Sequence, residues 1–369
     1  MLVGRAVLVP WAATRAIVLG ALALAHLLVD RVRPTDPAVA RTVHQGLLSW
    51  DAGYYSAIAR AGYTSLGHDA LRFFPLYPLT ARLVRSALGI SAGDGLLVVA
   101  NLASLAGAAL LYVLARREAG AEPARRAVWL LSLAPSAYVL VMGYAEALLL
   151  LLAVACFLAV RPRSGSRPAW WWAALWGVAA GLTRPLGIVL CVPVAIEVVR
   201  HWTGLRATAR LGALAAGVGP VVGGLGYLAW ARSTDGDFWL PLRVQFEPGH
   251  HGGLSDPLRT IRADAAGVFH HHYGTALHVP WVVVALVLVV VLWRRWPASY
   301  AAFATVVVAV GISGTNLDSF ERYALSAFPL AMAGATVTRW PAVERVVLVA
   351  LGAALLGYAL LAFLGLSVP

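Results

Sequence analysis

The chain of 369 residues has no lysine, two cysteines, and few charged side chains of any kind, 12% of the total. So little charge excludes an ordinary soluble globular domain, in which about a quarter of the residues are charged. Two cysteines exclude a disulfide framework. Cys156 and Cys191 both fall inside apolar runs and read as buried structural thiols. Without lysine, all 29 basic residues are arginine. A net charge of +12 on a soluble protein would point to nucleic acid, but the arginines here follow a different pattern along the chain. What the sequence has in abundance is hydrophobic residues, 60% of the total, and they mark a polytopic membrane protein.

About eleven transmembrane helices are expected, at approximately 6–29, 93–115, 127–143, 145–160, 169–183, 185–199, 211–231, 279–293, 298–313, 323–338 and 344–366. The first follows Arg5, contains Arg15 and runs through "AIVLGALALAHLLV". It is long enough to cross a bilayer, so it reads as an uncleaved span and not as a signal peptide. Alternate loops are short and rich in arginine: "RREAGAEPARR", "RPRSGSR", "RHWTGLRATAR", "RRW" and "TRWPAVER". With Arg5 this side holds 15 arginines against four acids, Glu118, Glu122, Glu197 and Glu344, while the other side holds about 13 arginines against 13 acids. By the positive-inside rule the N-terminus is cytoplasmic, and the two long loops, 30–92 and 232–278, lie outside. The positive charge therefore reflects topology, and no nucleic-acid partner is expected. No repeat or linker divides the chain, which reads as one membrane domain over 1–369 in contact with membrane lipids.

Most of the acids lie on the outer side, Asp51 among them. Read as a helix, 47–63 places Trp50, Tyr54, Ile58 and Ala61 on one face and Asp51, Tyr55 and Ala59 on the adjacent one. Such a helix suits the membrane interface, with Asp51 favoured by the helix dipole, and an amphipathic anchor is one reading of it. The next stretch, "GHDALRFFPLYPLTARLVR", adds His68, Asp69 and Arg72, the apolar rings of Phe73, Phe74 and Tyr77, and two helix-breaking prolines, Pro75 and Pro78. Because Arg82 and Arg85 interrupt it, 72–90 is expected to be re-entrant or interfacial. Arg184 in "LTRPLG" and Arg322 in "FERY" sit at outer ends of spans, where an arginine either snorkels or serves a function. Glu146 in "GYAEALL" either positions a sugar hydroxyl or pairs with one of those arginines. The histidine runs "GHHGG" (249–253) and "FHHHYG" (269–274) resemble metal ligands in composition, but consecutive histidines splay apart on a helix, so no metal is expected.

"WDAGYYSAIARAGY" followed by "FFPLYP" resembles the signature of the GPI mannosyltransferase II-like (PIG-V-like) family, in its actinobacterial form. Further stretches are similar in the same order: "LAPSAYVLVMGYAEALLLLLA", "AAGLTRPLGIVL", "VQFEPGHHGG" and "FERYALSAFPLAM". The resemblance implies the all-helical GT-C glycosyltransferase architecture, with short amphipathic helices in two long outer loops. It also implies a site on the extracytoplasmic face of the cell membrane and a polyprenyl phosphate mannose donor, with no cofactor. Asp51 occupies the position of the family's essential outer-loop acid, and as general base it would activate an acceptor hydroxyl. Arginine forks would hold the donor phosphate, Arg322 first, then Arg184 and Arg72. Substrate contacts are expected from Trp50, Tyr54, Tyr55, His68, Phe74 and Glu146, and acceptor contacts from Gln245, Glu247 and His250. A lysine-free chain points to a GC-rich bacterial genome, so the acceptor is expected to be a lipid or glycan other than a GPI precursor, or a protein. Two alternatives stand beside this reading. One is transfer of another polyprenyl-phosphate-linked sugar, such as arabinose. The other is lipid-linked-sugar transport, which would favour internal repeats and ionisable groups at the membrane midplane.

Overall fold

The computed structural model describes residues 2–32, 37–64, 66–163, 165–247, 253–267 and 276–366. Over these residues the chain forms α-helices and 3-10 turns, with one isolated antiparallel bridge between Leu254 and Gly314. The first six helices are α1 (Leu2–Val32), α2 (Pro37–Gln45), α3 (Asp51–Ala61), α4 (Leu76–Leu88), α5 (Ala92–Ala119) and α6 (Ala121–Ser132). Next come α7 (Glu146–Val160), α8 (Trp170–Thr183), α9 (Cys191–His201), α10 (Ala207–Asp235), α11 (Leu240–Arg243) and α12 (Pro257–Ala266). The last five are α13 (Val279–Arg295), α14 (Ala298–Ile312), α15 (Phe320–Ser326), α16 (Pro329–Val337) and α17 (Pro341–Phe363). Five segments are long and apolar enough to cross a membrane: Gly4–Val32, Ala92–Ala119, Pro185–Gly204, Ala207–Asp235 and Pro341–Phe363. Helices α7 and α14 are shorter and equally apolar. The protein is thus an all-helical, multi-pass membrane protein.

Several expected spans are not continuous helices, and the reasons are local. The span expected at 127–143 is helical only to Ser132; Pro135 follows, and 133–145 is irregular except for a 3-10 turn at Ala137–Leu140. Irregular backbone inside a membrane protein needs internal hydrogen-bond partners. Here Thr14 Oγ1 donates to the Ser132 carbonyl at 2.7 Å, Arg15 to Leu140 at 2.9 Å, and Asn101 to Val141 at 3.2 Å. Arg15 is therefore a staple within the bundle, joining α1, α5 and this segment. The span expected at 323–338 is divided by Pro329 into α15 and α16, and the one expected at 185–199 opens as a 3-10 turn after Pro185.

Small residues bring α8 and α10 into backbone contact. A Cβ on Gly181 would collide with the Pro220 carbonyl, and one on Gly187, in the turn just after Arg184, with the Ala180 carbonyl. This close packing fixes the end of α8 from which Arg184 projects. Cys156 is buried and Cys191 half-buried, and both are free thiols.

Candidate active site

The site begins with two strained residues. Trp50 has φ 59° and ψ −129°, and Ser319 has φ 63° and ψ 14°. Among the described residues they are the non-glycine positions with positive φ. Such conformations cost about 1–3 kcal/mol each and persist where the surroundings impose them. Trp50 is the N-cap of α3 and Ser319 the N-cap of α15, so each strained residue sets the entry of a helix that carries a charged group, Asp51 in its first turn and Arg322 in the other. The Trp50 indole is tied to the Ala362 carbonyl on α17 at 3.0 Å.

The "FFPLYP" stretch packs on α3. Phe73 stacks on Tyr54 with ring centroids 4.8 Å apart and meets Tyr55 edge-on at 4.9 Å, while Tyr77 meets Tyr55 edge-on at 5.0 Å. Helix α4 starts directly after Pro75. Pro78 is tolerated in its first turn, where a missing N–H breaks no helical bond. Arg82, unexplained as a transmembrane residue, caps the end of α3 by donating to the carbonyls of Ile58 and Ala59 at 2.8 and 2.9 Å. Leu79, Leu83 and Leu88 are exposed along α4, as an interfacial helix requires.

Asp51, Glu146, Arg72, Arg184 and Arg322, spread over 271 positions of sequence, meet in one network. Arg322 donates through Nη2 to Asp51 Oδ2 at 3.0 Å and through Nε to Glu146 Oε1 at 2.7 Å. Arg184 pairs with the same Glu146 oxygen. Arg72 Nη2 lies 3.9 Å from Asp51 Oδ1, and its guanidinium sits over the rings of Phe73 and Tyr54. Glu146 is 2% exposed, so its place in the network is that of a brace holding two arginines. The contacting groups number three guanidiniums and two carboxylates. Arg72 Nε is buried with no hydrogen-bond partner, which leaves a donor available to a bound anion. Burial pushes the Asp51 carboxyl up, but Arg322, Arg72 and Arg184 outweigh it and hold the group below its usual 3.8, so it is ionised.

The network opens on a cavity of about 590 Å³. Trp50, Asp51, Tyr54, Tyr55, Arg72, Arg184, Arg322 and Gln245 all line it. Gln245 also donates to the Arg72 carbonyl at 3.3 Å. Leu186, Val189 and Val310 form an apolar part of the wall, and Ser313, Asn316 and Asp318 a polar, uncharged or acidic part.

Other expected contacts lie elsewhere. His68 and Glu247 are exposed and outside the cavity lining. Phe74 is buried against Tyr227, with ring centroids 4.5 Å apart, and supports the loop from behind. His250 and the rest of both histidine runs, apart from Gly253, lie outside the described residues. Among the described residues no group of three or more His, Cys, Asp or Glu side chains is arranged to hold a metal. The sequence reading missed Tyr144, whose ring lies 4.9 Å from the Arg322 guanidinium and whose hydroxyl faces the Asp51 N–H at 3.4 Å. Its position two residues before Glu146 was the available signal. The reading counted Asp318, which precedes "SFER", among the outer acids but gave it no role, and it lines the cavity together with Tyr323.

Comparison with solved structures places the fold. The crystal structure of ArnT from Cupriavidus metallidurans, bound to undecaprenyl phosphate, superposes with a TM-score of 0.52 over 80% of this chain and 57% of that one, at 16% identity. The Archaeoglobus fulgidus oligosaccharyltransferase, crystallised with Zn and sulfate, matches with a TM-score of 0.45 and 13% identity over 94% of this chain and 52% of its own. The chain thus spans little more than half the length of either. No curated protein sequence matches it. The architecture is that of a GT-C membrane glycosyltransferase.

Residues 21–202 match the family described as Mannosyltransferase (PIG-V). That stretch, a little under half of the chain, supplies Asp51, Arg72, Glu146 and Arg184 and is what resembles the family.

Proposed function

We propose that the protein transfers mannose from a polyprenyl phosphate mannose donor to a hydroxyl of a glycolipid, lipoglycan or protein at the extracytoplasmic face of the cell membrane, its N-terminus being cytoplasmic. The observation that carries this reading is the arginine-rich network at the wall of a cavity that is part apolar and part polar. A lipid-linked phosphosugar has the same three parts: an isoprenoid, a phosphate and a polyol. The undecaprenyl phosphate bound to ArnT is consistent with a ligand of this class.

In the proposed reaction the acceptor hydroxyl gives its proton to an Asp51 carboxylate oxygen as its own oxygen attacks the anomeric carbon. The bond from that carbon to the phosphate oxygen breaks, and polyprenyl phosphate departs with the bonding pair. A single displacement inverts the anomeric centre and needs one carboxylate. Arg322, Arg184 and Arg72 stabilise the phosphate through charge-assisted hydrogen bonds, and Glu146 holds two of them in place. Donor binding also retunes the base: the phosphate's negative charge offsets the arginines that depress Asp51, so the carboxylate becomes a better proton acceptor once substrate is present.

The test is transfer of labelled mannose from polyprenyl phosphate mannose into a membrane lipid and glycan extract by the purified protein. A labelled product formed by wild type and absent with Asp51→Asn supports the reading. Transfer from a polyprenyl-linked arabinose in place of mannose would correct the sugar, and full activity in Asp51→Asn would remove the base assignment.

A further inference from the structure

The proposed reaction leaves one acidic group of the cavity without a role. Asp318 lines it, with its side chain 40% exposed, and makes no ion pair with arginine among the described residues. Behind it lies a buried relay. His278 Nε2 is 3.7 Å from Asp318 Oδ1, and His278 Nδ1 is 2.8 Å from Glu321 Oε2 and 3.0 Å from Oε1. His278 is 3% exposed and Glu321 5%. Tyr358, which accepts a hydrogen bond from the Trp281 indole at 2.8 Å, lies 3.3 Å from Glu321 Oε1. Asp264 accepts from the Leu317 N–H at 3.2 Å, and Asn316 Oδ1 from the Asp318 N–H at 3.2 Å, so the backbone leading into Asp318 is anchored as well. The hydrogen bonds of Glu321 with His278 and Tyr358 fix the imidazole, which faces the half-exposed Asp318 carboxylate at 3.7 Å, an ion-pair distance longer than a hydrogen bond.

The neighbours of Asp318 on the cavity wall, Ser313, Asn316 and Ser319, are uncharged hydrogen-bonding residues. A carboxylate among hydroxyl and amide groups, in no ion pair with arginine among the described residues, suits a polyol better than a phosphate. We propose that Asp318 anchors a sugar hydroxyl in the cavity and that His278, braced by Glu321, is the residue that positions it. The inference rests on the glycosyltransferase reading and adds the hydroxyl-recognising wall opposite in character to the arginines. The sugar is either that of the donor or that of the acceptor, and the experiment separates them.

The full chain in lipid nanodiscs is titrated with sugar-free polyprenyl phosphate and with polyprenyl phosphate mannose, and KM for the acceptor is measured with wild type, Asp318→Ala, Asp318→Asn and His278→Gln. Sugar-free lipid is expected to bind all four proteins equally. If Asp318 holds the donor sugar, the preference for the mannosylated lipid falls about tenfold in Asp318→Ala, as expected for loss of a hydrogen bond to a charged group. If it holds the acceptor, that preference stays and acceptor KM rises by a similar factor. In either case Asp318→Asn is expected to restore part of the loss and His278→Gln to shift the same parameter by less. A purely structural His278 would instead lower the folded fraction and leave both parameters untouched. Unchanged lipid preference and unchanged acceptor KM in Asp318→Ala would overturn the proposal. Wild type that binds neither lipid would overturn the glycosyltransferase reading, and this site with it.

Discussion

Two ion-pair networks lie at opposite ends of α7, one at Glu146 and the other at Arg161. The 15 residues of that helix span about 22 Å. At the N-terminal end the Asp51–Glu146 network brings three arginines to two carboxylates beside a cavity of about 590 Å³. At the C-terminal end Arg161 bridges Glu118 at 2.9 Å and Glu197 at 3.2 Å, Ser299 donates to Glu197 at 2.6 Å, and Tyr300 to Glu118 at 3.1 Å. Arg200, 3.7 Å from Glu197, completes the balance of charge, and the adjoining cleft is about 230 Å³. The balanced network ties α5, α7, α9 and α14 together, and its one buried atom without a hydrogen-bond partner among the described residues is an acceptor, Glu197 Oε2. The other has a guanidinium in excess and, beside the unpartnered acceptor Glu146 Oε2, a buried donor without a hydrogen-bond partner, Arg72 Nε, which is the difference on which the proposed anion site rests. A buried charge is costly until it is paired, so the same residue types read as structure at one end and as a binding site at the other.

The comparison breaks first at Asp51. Asp51→Asn is expected to lower transfer by roughly 10²–10⁴-fold, the usual worth of a positioned base, with the protein still folded. Full activity would place the base elsewhere. Next come the two buried glutamates. Glu146→Gln and Glu197→Gln should each destabilise the protein by about 3 kcal/mol, the cost of uncoupling a buried pair, read from thermal unfolding in detergent. Only Glu146→Gln should also raise donor KM; equal donor KM in both variants would erase the distinction between the networks.

A smaller effect is expected in the pH profiles. Burial raises the Asp51 carboxyl and the three arginines lower it further than burial lifts it, so the free protein keeps it ionised until the pH falls below about 3.8. The acid limb of kcat/KM should therefore lie below that value. The acid limb of kcat, which reports the complex, should lie above that of kcat/KM, because bound phosphate offsets the arginines. Coincident limbs would mean the base does not sense the phosphate. The depressed carboxyl also stabilises the fold at pH above 3.8, a contribution lost as pH falls through its lower native value. The smallest expected effect is none at all: a chelator should leave transfer unchanged, and activity lost to it and restored by a divalent cation would assign the phosphate to a metal.

Much of the site could be read from the chain because its parts are local. "WDAGYY" and "FFPLYP" are neighbours in sequence and pack as neighbours, and Arg184 and Arg322 are arginines at the ends of apolar runs, where charge is conspicuous. Side-chain pairing between distant helices was legible only in part: pairing of Glu146 with one of these arginines was one of two readings. Nothing local shows that Glu146 braces both Arg184 and Arg322, or that Tyr144 lies under Arg322. The irregular segment 133–145 was read as membrane span because its residues are apolar; the groups that satisfy its carbonyls, Thr14, Arg15 and Asn101, belong to α1 and α5. His278 and Asp318 are unremarkable singly, and only the fold brings them to 3.7 Å.

The most direct test compares the affinity of purified protein for polyprenyl phosphate in Arg322→Ala and in Arg161→Ala, each measured on the folded fraction. The account predicts a loss of roughly 10- to 100-fold for Arg322→Ala, from charged hydrogen bonds to the phosphate, and wild-type affinity for Arg161→Ala. Wild-type affinity in Arg322→Ala, or an equal loss in both, would contradict it.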